Sequence, residues 1–299
     1  MSQKIQDEIF SEENRDKRKK IIIKILKILV LLFFLSIIFM LYTTYISNTW
    51  IIVNEKRIIN KKIPDSFNGT KIIHFSDLHY GTTMNMNEVK KIVKLINERN
   101  PDIVVFTGDL VDDHYDLENK EQEQLIKQLN SIDSTIGKYA IIGEEDGVSY
   151  NTIMTQSGFN VLNNDYDLIY KDDNNPILIN GLSSTLSGLG DITKTLKYYS
   201  EASHNSNIYS ISIMHEADNV DDFINTNPSD LYLAGHSHLG EIRIPIIGNI
   251  KRIDGSKKYR NAYYKLDNSE LYVSSGLGID GKFRLFNRPS INFFRISNK

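Results

Sequence analysis

Apolar runs that stop at a carboxylate or an imidazole constrain this chain more than any other feature. The run Lys71–Phe75 leads into Ser76-Asp77-Leu78-His79, and the run 102–106 leads into Gly108-Asp109. The run 208–214 stops at His215, and Leu231–Ala234 leads into Gly235-His236-Ser237-His238. Short continuous apolar runs bounded by turn residues read as buried strands. Between the first two, Val89, Ile92, Val93 and Ile96 repeat at helical spacing. A polar helix around 117–132 then precedes the run 138–142, which stops at Gly143-Glu144-Glu145-Asp146. Strands alternating with helices make parallel βαβ units, so successive strands deliver these residues at their carboxyl ends, where ligands bind in α/β sheets.

The rest of the chain is organised around that pattern. Residues 51–59 suggest an edge strand. The segment 150–205 is less regular, with short strands near 167–170 and 177–180, a Ser/Gly-rich turn at 183–190 and a helix to about Ala202. It carries no identifiable chemistry. Strand-like runs at 241–244, 271–274 and 291–296 suggest a second sheet packed on the first. With no internal repeat and no linker, residues 51–299 read as one domain.

Mixed oxygen and imidazole donors suit hard and borderline divalent metals. Asp77 and His79 stand two apart past a strand end, where both can reach one ion, and a His-x-His pair at 236 and 238 repeats the signal. Asp109, behind a glycine, can bridge two ions through its two oxygens; read alone, it serves equally well as a helix N-cap. The chain has no cysteine, which excludes disulfides and thiolate ligands. A formal charge of −3 gives no basic footprint, so nucleic acid is not expected as a nonspecific partner. His74, His114 and His204 fall outside the motifs.

Residues 28–46 carry no charge, and Lys24 and Lys27 can snorkel from the flank. This length fits the roughly 20 apolar residues that span a bilayer. No small-residue cleavage site follows, and Tyr42, Tyr45 and Trp50 resemble an interfacial aromatic belt, so the segment reads as an uncleaved anchor. Arg15, Lys17, Arg18, Lys19 and Lys20 crowd its leading side. The expectation is a single-pass protein of the cell membrane: a cytoplasmic tail at 1–20, disordered over its first 14 residues, an anchor at 21–47 and an extracellular domain at 51–299.

The series SDLH, GDLVD, GEED, MHEAD and GHSH, followed by YVSSGLGI and RLFNRPSI, resembles the calcineurin-like metallophosphoesterases, and within them the membrane-anchored bacterial phosphodiesterase branch, over about residues 71–294. The resemblance implies a four-layer α/β/β/α sandwich with two divalent metal ions, Mn, Fe or Zn. By that likeness Asp77, His79, Asp109 and His238 hold one ion, and Asp109, Glu144, His215 and His236 hold the other. A hydroxide bridging the two ions would attack phosphorus in line, with no protein nucleophile. Gly276, Gly278, Lys282, Arg284 and Arg288 are expected to line the substrate entrance.

The third motif departs from the family's Gly-Asn-His, placing Glu144 and Glu145 after the glycine. A carboxylate at 144 can still ligate and shifts preference toward harder ions, favouring Mn. Glu145 can act as general acid only if its pKa rises well above the ordinary value of about 4.3. Ala217, Leu239 and Glu241 also depart from the pattern, and together these residues make the site acidic and narrow. Such a site repels phosphate dianions more than monoanionic diesters, which points to a phosphodiester substrate, with lipid or envelope-linked diesters suggested by the anchor. Two functions remain open: a metal-dependent phosphodiesterase, and a catalytically impaired metal-binding module that recognises a phosphorylated envelope ligand or partner.

Overall fold

The computed structural model describes residues 2–43, 47, 50–201, 207–244, 246–249, 252–280 and 283–299, with side chains described from Asn14 onward. The chain forms two compact units, Met1–Ile46 and Ser47–Lys299.

The first unit is the helix α1 (Ser2–Leu41). Its stretch Asn14–Leu41 is long and apolar enough to cross a membrane, and side chains such as Ile21, Phe33, Phe34 and Met40 are exposed. A helix apolar on every side buries its surface in protein or lipid. The helix runs through the residues expected to be a disordered tail, because 2–20 contain neither proline nor glycine to stop it. Tyr45 of the expected aromatic belt lies outside the described residues, while Trp50 lies in the second unit with the Arg288 guanidinium 5.0 Å from its ring centroid.

The second unit begins with β1 to β5 (Ile52–Ile59, Lys71–Phe75, Ile103–Phe106, Gly137–Ala140 and Asn160–Val161), interleaved with α2 (Met86–Asn97), α3 (Asn119–Asn130) and α4 (Tyr150–Gln156). It continues with β6 to β9 (Asp165–Ile169, Ile177–Leu182, Ser210–Met214 and Leu231–Ala234), a short ribbon of β10 (Arg243–Ile244) and β11 (Gly248–Asn249), and β12 and β13 (Tyr263–Leu266 and Ser269–Val273). The last strand is β14 (Ser290–Ser297). One sheet has the order β1-β14-β2-β3-β4-β5 and the other β12-β13-β9-β8-β7-β6. The inner strands β2-β3-β4 and β7-β8-β9-β13 run parallel.

Alternation of side chains along each strand builds the layers. Ile72, Ile103 and Val105 point between the sheets and meet Ile179, Ile211, Ile213, Leu231 and Leu233. Their neighbours Ile73, Val104 and Phe106 point the other way, onto Val89 and Ile92 of α2, Leu125 and Leu129 of α3 and Ile153 of α4. Met214, Tyr232 and Ala234 turn outward from the second sheet onto Val220 and Phe223 of α7 (Val220–Thr226). The result is the expected four-layer α/β/β/α sandwich. At the entry to α2, Asn85 and Glu88 form a reciprocal capping box that satisfies two otherwise unpaired N–H groups.

Three expectations need correction. The run 291–296 belongs to the first sheet, where β14 inserts between β1 and β2. The run 241–244 contributes only β10 of the separate ribbon. Periodicity identifies a strand and its faces but not its partner, so neither assignment was available from the pattern alone. The helix expected to reach about Ala202 breaks into α5 (Ile192–Thr195), capped by the Asp191 side chain, and α6 (Lys197–Ser200).

Candidate metal centre

Five strand ends meet at one edge of the sandwich. Past β2 come Asp77 and His79, past β3 Asp109, past β4 Glu144 and Glu145, past β8 His215, and past β9 His236 and His238. Asp77 (φ 51°), His79 (44°), Asp109 (58°), His236 (65°) and His238 (45°) all occupy the left-handed region. Each non-glycine residue there costs on the order of 1–3 kcal/mol and persists only where its surroundings enforce it. Here the neighbouring loops enforce it: Asp77 N donates to Gly108 O at 2.9 Å, Leu78 N to Asp109 O at 2.7 Å and Gly278 N to Asp77 O at 2.7 Å. A Cβ at Gly143 would collide with the Asp109 carboxylate, so the third loop passes close only because that residue is glycine. Gly235 is not at positive φ; it lets the chain pass against Ser76 and Asp77, and the left-handed turn falls on the histidines.

The seven expected ligands converge. His79 Nε2 lies 3.0 Å from His238 Nε2, which lies 3.7 Å from Asp77 Oδ1. Asp109 Oδ2 lies 3.0 Å from His215 Nε2, and His236 Nδ1 lies 3.1 Å from Glu144 Oε1. Among the described residues, the ligand atoms of Asp77, His79 and His238, those of Asp77, Asp109 and His215, and those of Asp109, Glu144 and Glu145 close to within 4.8 Å of one another. His236 joins none of these groups and reaches the site through Glu144. All seven except Glu144 are buried.

Two of the imidazoles define what the site accepts. His215 Nδ1 is 2.7 Å from the Thr107 carbonyl, and His236 Nε2 is 2.8 Å from the Asp254 carbonyl. A carbonyl only accepts, so each ring donates there and turns its other nitrogen toward a carboxylate. Those nitrogens, His215 Nε2 and His236 Nδ1, are buried without a hydrogen-bond partner. Orientation of a ligand imidazole by a backbone carbonyl is the usual outer support of a metal site. Such a pair of acceptors needs a cation between them. Burial opposes the charged imidazole, but Asp109 raises His215 well above its ordinary pKa and Glu144 raises His236. His79 is raised to about 9, with burial opposed by Glu145 and Asp109. Burial alone would raise Asp109, yet His215 holds it lowered. A proton satisfies these pairs when no metal does, and nitrogen and oxygen donors fit a hard or borderline divalent ion.

Other expected residues have different duties. Glu145 Oε2 lies 2.9 Å from His79 Nδ1 and accepts from Asp113 N at 3.3 Å. Arg284 is fully buried rather than at the entrance: it donates to Ser275 O at 2.7 Å and to Gly278 O, and one guanidinium nitrogen lies 3.3 Å from His238 Nδ1. Gly276 and Gly278 pack behind the Asp77–His79 loop, and Lys282 lies outside the described residues. His74 is a core residue between Thr107 and Asn292, His114 is exposed beside Asp113, and His204 lies outside the described residues.

Sequence reasoning missed several supports. Asp146 accepts from the backbone N–H of Gly143 (2.7 Å), Leu110 (2.8 Å) and Asp109 (3.0 Å), while burial and the Asp109 charge push its carboxyl up to about 7. Glu216 accepts from Thr185 N at 3.1 Å and from the Ser184 hydroxyl, tying the supposedly silent 183–187 segment to the residue beside His215. Arg252, Asp254, Asp280 and Leu186 join the site residues in lining a cleft of about 390 Å³. In the sequence Asp146 and Glu216 stand inside the GEED and MHEAD motifs and Asp280 directly after YVSSGLGI, whereas nothing local marks Arg252, Asp254 or Leu186.

The model of the calcineurin-like phosphoesterase family matches residues 70–240. A Bacillus subtilis metallophosphoesterase, YkuE, is 31% identical, with 86% of this chain and 89% of its own length covered. A zebrafish (Danio rerio) transmembrane protein with a metallophosphoesterase domain is 23% identical over 77% of this chain and 54% of its own. LpxG of Chlamydia muridarum, a UDP-2,3-diacylglucosamine pyrophosphatase, is 24% identical over 78% of this chain and 86% of its own. With that match across both sheets and carboxylates and imidazoles gathered at their strand ends, the chain belongs to the metal-dependent calcineurin-like phosphoesterase family.

Proposed function

We propose that this protein is a metal-dependent phosphodiesterase, held in the cell membrane by α1 with its amino terminus cytoplasmic, that acts on a lipid-borne or envelope-linked diester. The observation that carries the reading is the facing of buried imidazole nitrogens and carboxylate oxygens at about 3 Å, at His215 with Asp109 and His236 with Glu144. In this reading Asp77, His79, Asp109 and His238 hold one ion and Asp109, Glu144, His215 and His236 the other, with Mn favoured by the added carboxylate. Two bound ions would supply water activation and charge neutralisation on the phosphoryl oxygens.

The chain's own groups do the rest. The carbonyls of Thr107 and Asp254 fix two imidazoles, Asp109 turns Oδ2 to His215 while its Oδ1 accepts from Glu145 N, and Arg252 presents a guanidinium in the cleft that suits a phosphoryl oxygen. The carboxylates of Glu144, Glu145, Asp254 and Asp280 line the same cleft and disfavour a dianion relative to a diester. The name of LpxG, a pyrophosphatase of a diacylated sugar nucleotide, supports a lipid-borne phosphoester. Glu145 is the proposed general acid by position, but its contacts with His79 and Asp113 are those of an acceptor and favour a positioning role. That engagement is also what favours the rival, a metal-binding module with impaired turnover.

Hydrolysis of an aryl phosphodiester with Mn, beside Asp109→Asn and with Mn binding followed by calorimetry, tests the proposal. Turnover lost in the variant supports it; binding without turnover across metals and pH values supports the module. Glu145→Gln should weaken Mn binding on the order of 10–100-fold if the residue positions His79. If it instead leaves binding intact and lowers only turnover, Glu145 is the proton donor.

A further inference from the structure

Among the described residues, several of the second unit's exposed aliphatic and phenylalanine side chains lie on loops that carry or adjoin the candidate metal site. Ile246 is fully exposed and Ile247 is 72% exposed at the tip of the β10–β11 ribbon. Ile246 sits at φ 74°, a conformation a β-branched residue rarely adopts, so the turn presents it to solvent at a conformational cost. Phe283 and Phe286 are exposed beside the ribbon, which their segment joins through Arg243 N to Leu285 O (2.9 Å) and Leu285 N to Glu241 O (3.0 Å). Val148, two residues past Asp146, and Leu186 of the cleft wall are exposed as well. Single apolar residues on a surface need no explanation, but several on adjacent loops mark an interaction site.

We propose that this surface contacts a lipid bilayer, the Ile246–Ile247 tip entering among the headgroups. Charge selects the occupant. In a chain of net charge −3, residues 241–260 hold six Lys and Arg against Glu241 and Asp254; Lys257 pairs with Asp254 and Lys258 with Asp221, which among the described cations of this stretch leaves Arg243, Arg252 and Arg260 outside those pairs. Apolar tips flanked by cations suit anionic membranes, whereas a second copy would bring the same cations face to face. The chain also supplies a membrane-spanning candidate in α1, which ends at Leu41, with the first strand of the second unit starting at Ile52. A short tether of this kind raises the local concentration of bilayer around the domain. From β11 the chain runs within a few residues to Arg252 and Asp254 of the cleft, so bilayer contact brings lipid headgroups to the cleft mouth. That last consequence rests on the phosphodiesterase reading; bilayer contact does not.

The absence of native cysteine makes the test direct. Full-length Ile246→Cys and, as a solvent reference, exposed Tyr170→Cys are labelled with a nitroxide in phosphatidylglycerol/phosphatidylethanolamine vesicles, and collision with oxygen and with an aqueous nickel chelate is measured. The expected result is oxygen-rich, nickel-poor exposure at 246 and the reverse at 170. Equal nickel access at both sites overturns the proposal, as does spin–spin broadening at 246 in detergent, which would assign the surface to a second copy. In a second experiment, an Ile246→Glu, Ile247→Glu variant should lose hydrolysis of a vesicle-borne diester and keep that of a soluble aryl diester; equal loss on both overturns delivery by this surface. If the wild type hydrolyses neither while the 246 probe sits in lipid, the phosphodiesterase reading fails and bilayer contact stands.

Discussion

Asp146 and His74 show how single side chains outside the ligand set hold the site in place. Three backbone N–H groups from two loops end on the Asp146 carboxylate, so Asp146→Ala leaves them unpaired. The expected loss is on the order of 3 kcal/mol in denaturant unfolding, with Asp146→Asn losing less; an unchanged midpoint would contradict this role. His74 makes a different prediction. Burial lowers its pKa to about 3, so between about 3 and its unfolded value near 6.5 the unfolded chain binds a proton that the folded chain refuses. Stability therefore falls as pH drops through that window, by roughly 1.4 kcal/mol per unit, and His74→Gln should flatten the slope in unfolding curves between pH 6.5 and 5. The candidate ligands were legible at this scale because carboxylates and imidazoles closing apolar runs have few other uses in such numbers. Asp146 and Glu216 were not, since an acid that accepts backbone N–H groups looks in sequence like any loop acid. Arg284 was misread for the same reason: its burial depends on Ser275 and Gly278, which come to it only through the fold.

At the level of strands and loops, β3 and β9 were readable from nearly continuous apolar runs, as expected for strands buried on both faces, and β2 and β8 from short runs broken only by buried His74, Ser210 and Ser212. The placement of β14 between β1 and β2 was not, because its burial pattern specifies two apolar environments without naming the strand beside it. The same limit hid the ribbon β10–β11, whose two-residue strands carry no periodicity to detect. What the elements contribute to chemistry is close approach. Gly143→Ala should displace Asp109 and weaken Mn binding on the order of 10–100-fold in calorimetry while circular dichroism stays unchanged. Unaltered affinity would mean that the third loop moves freely and that the left-handed ligand conformations are not enforced by their neighbours.

For the molecule as a whole, α1 and the sandwich were legible for different reasons: the second half of α1 is apolar on every side, whereas the strands of the sandwich are short apolar runs separated by helices and turns. Orientation rests on the cluster Arg15, Lys17, Arg18, Lys19 and Lys20 ahead of the apolar stretch. In intact cells an impermeant maleimide should label Tyr170→Cys, whereas Ser11→Cys should react only after permeabilisation; the reverse pattern would place the phosphoesterase unit inside. The central claim, that strand ends of two sheets assemble a two-metal centre, is tested most directly by the metal content and electron paramagnetic resonance of the full-length protein loaded with Mn. The account predicts two ions per chain with an exchange-coupled spectrum, as expected for ions about 3.5–4 Å apart, and loss of the coupling in Asp109→Asn. A single uncoupled Mn, or a coupled pair that survives Asp109→Asn, would contradict it.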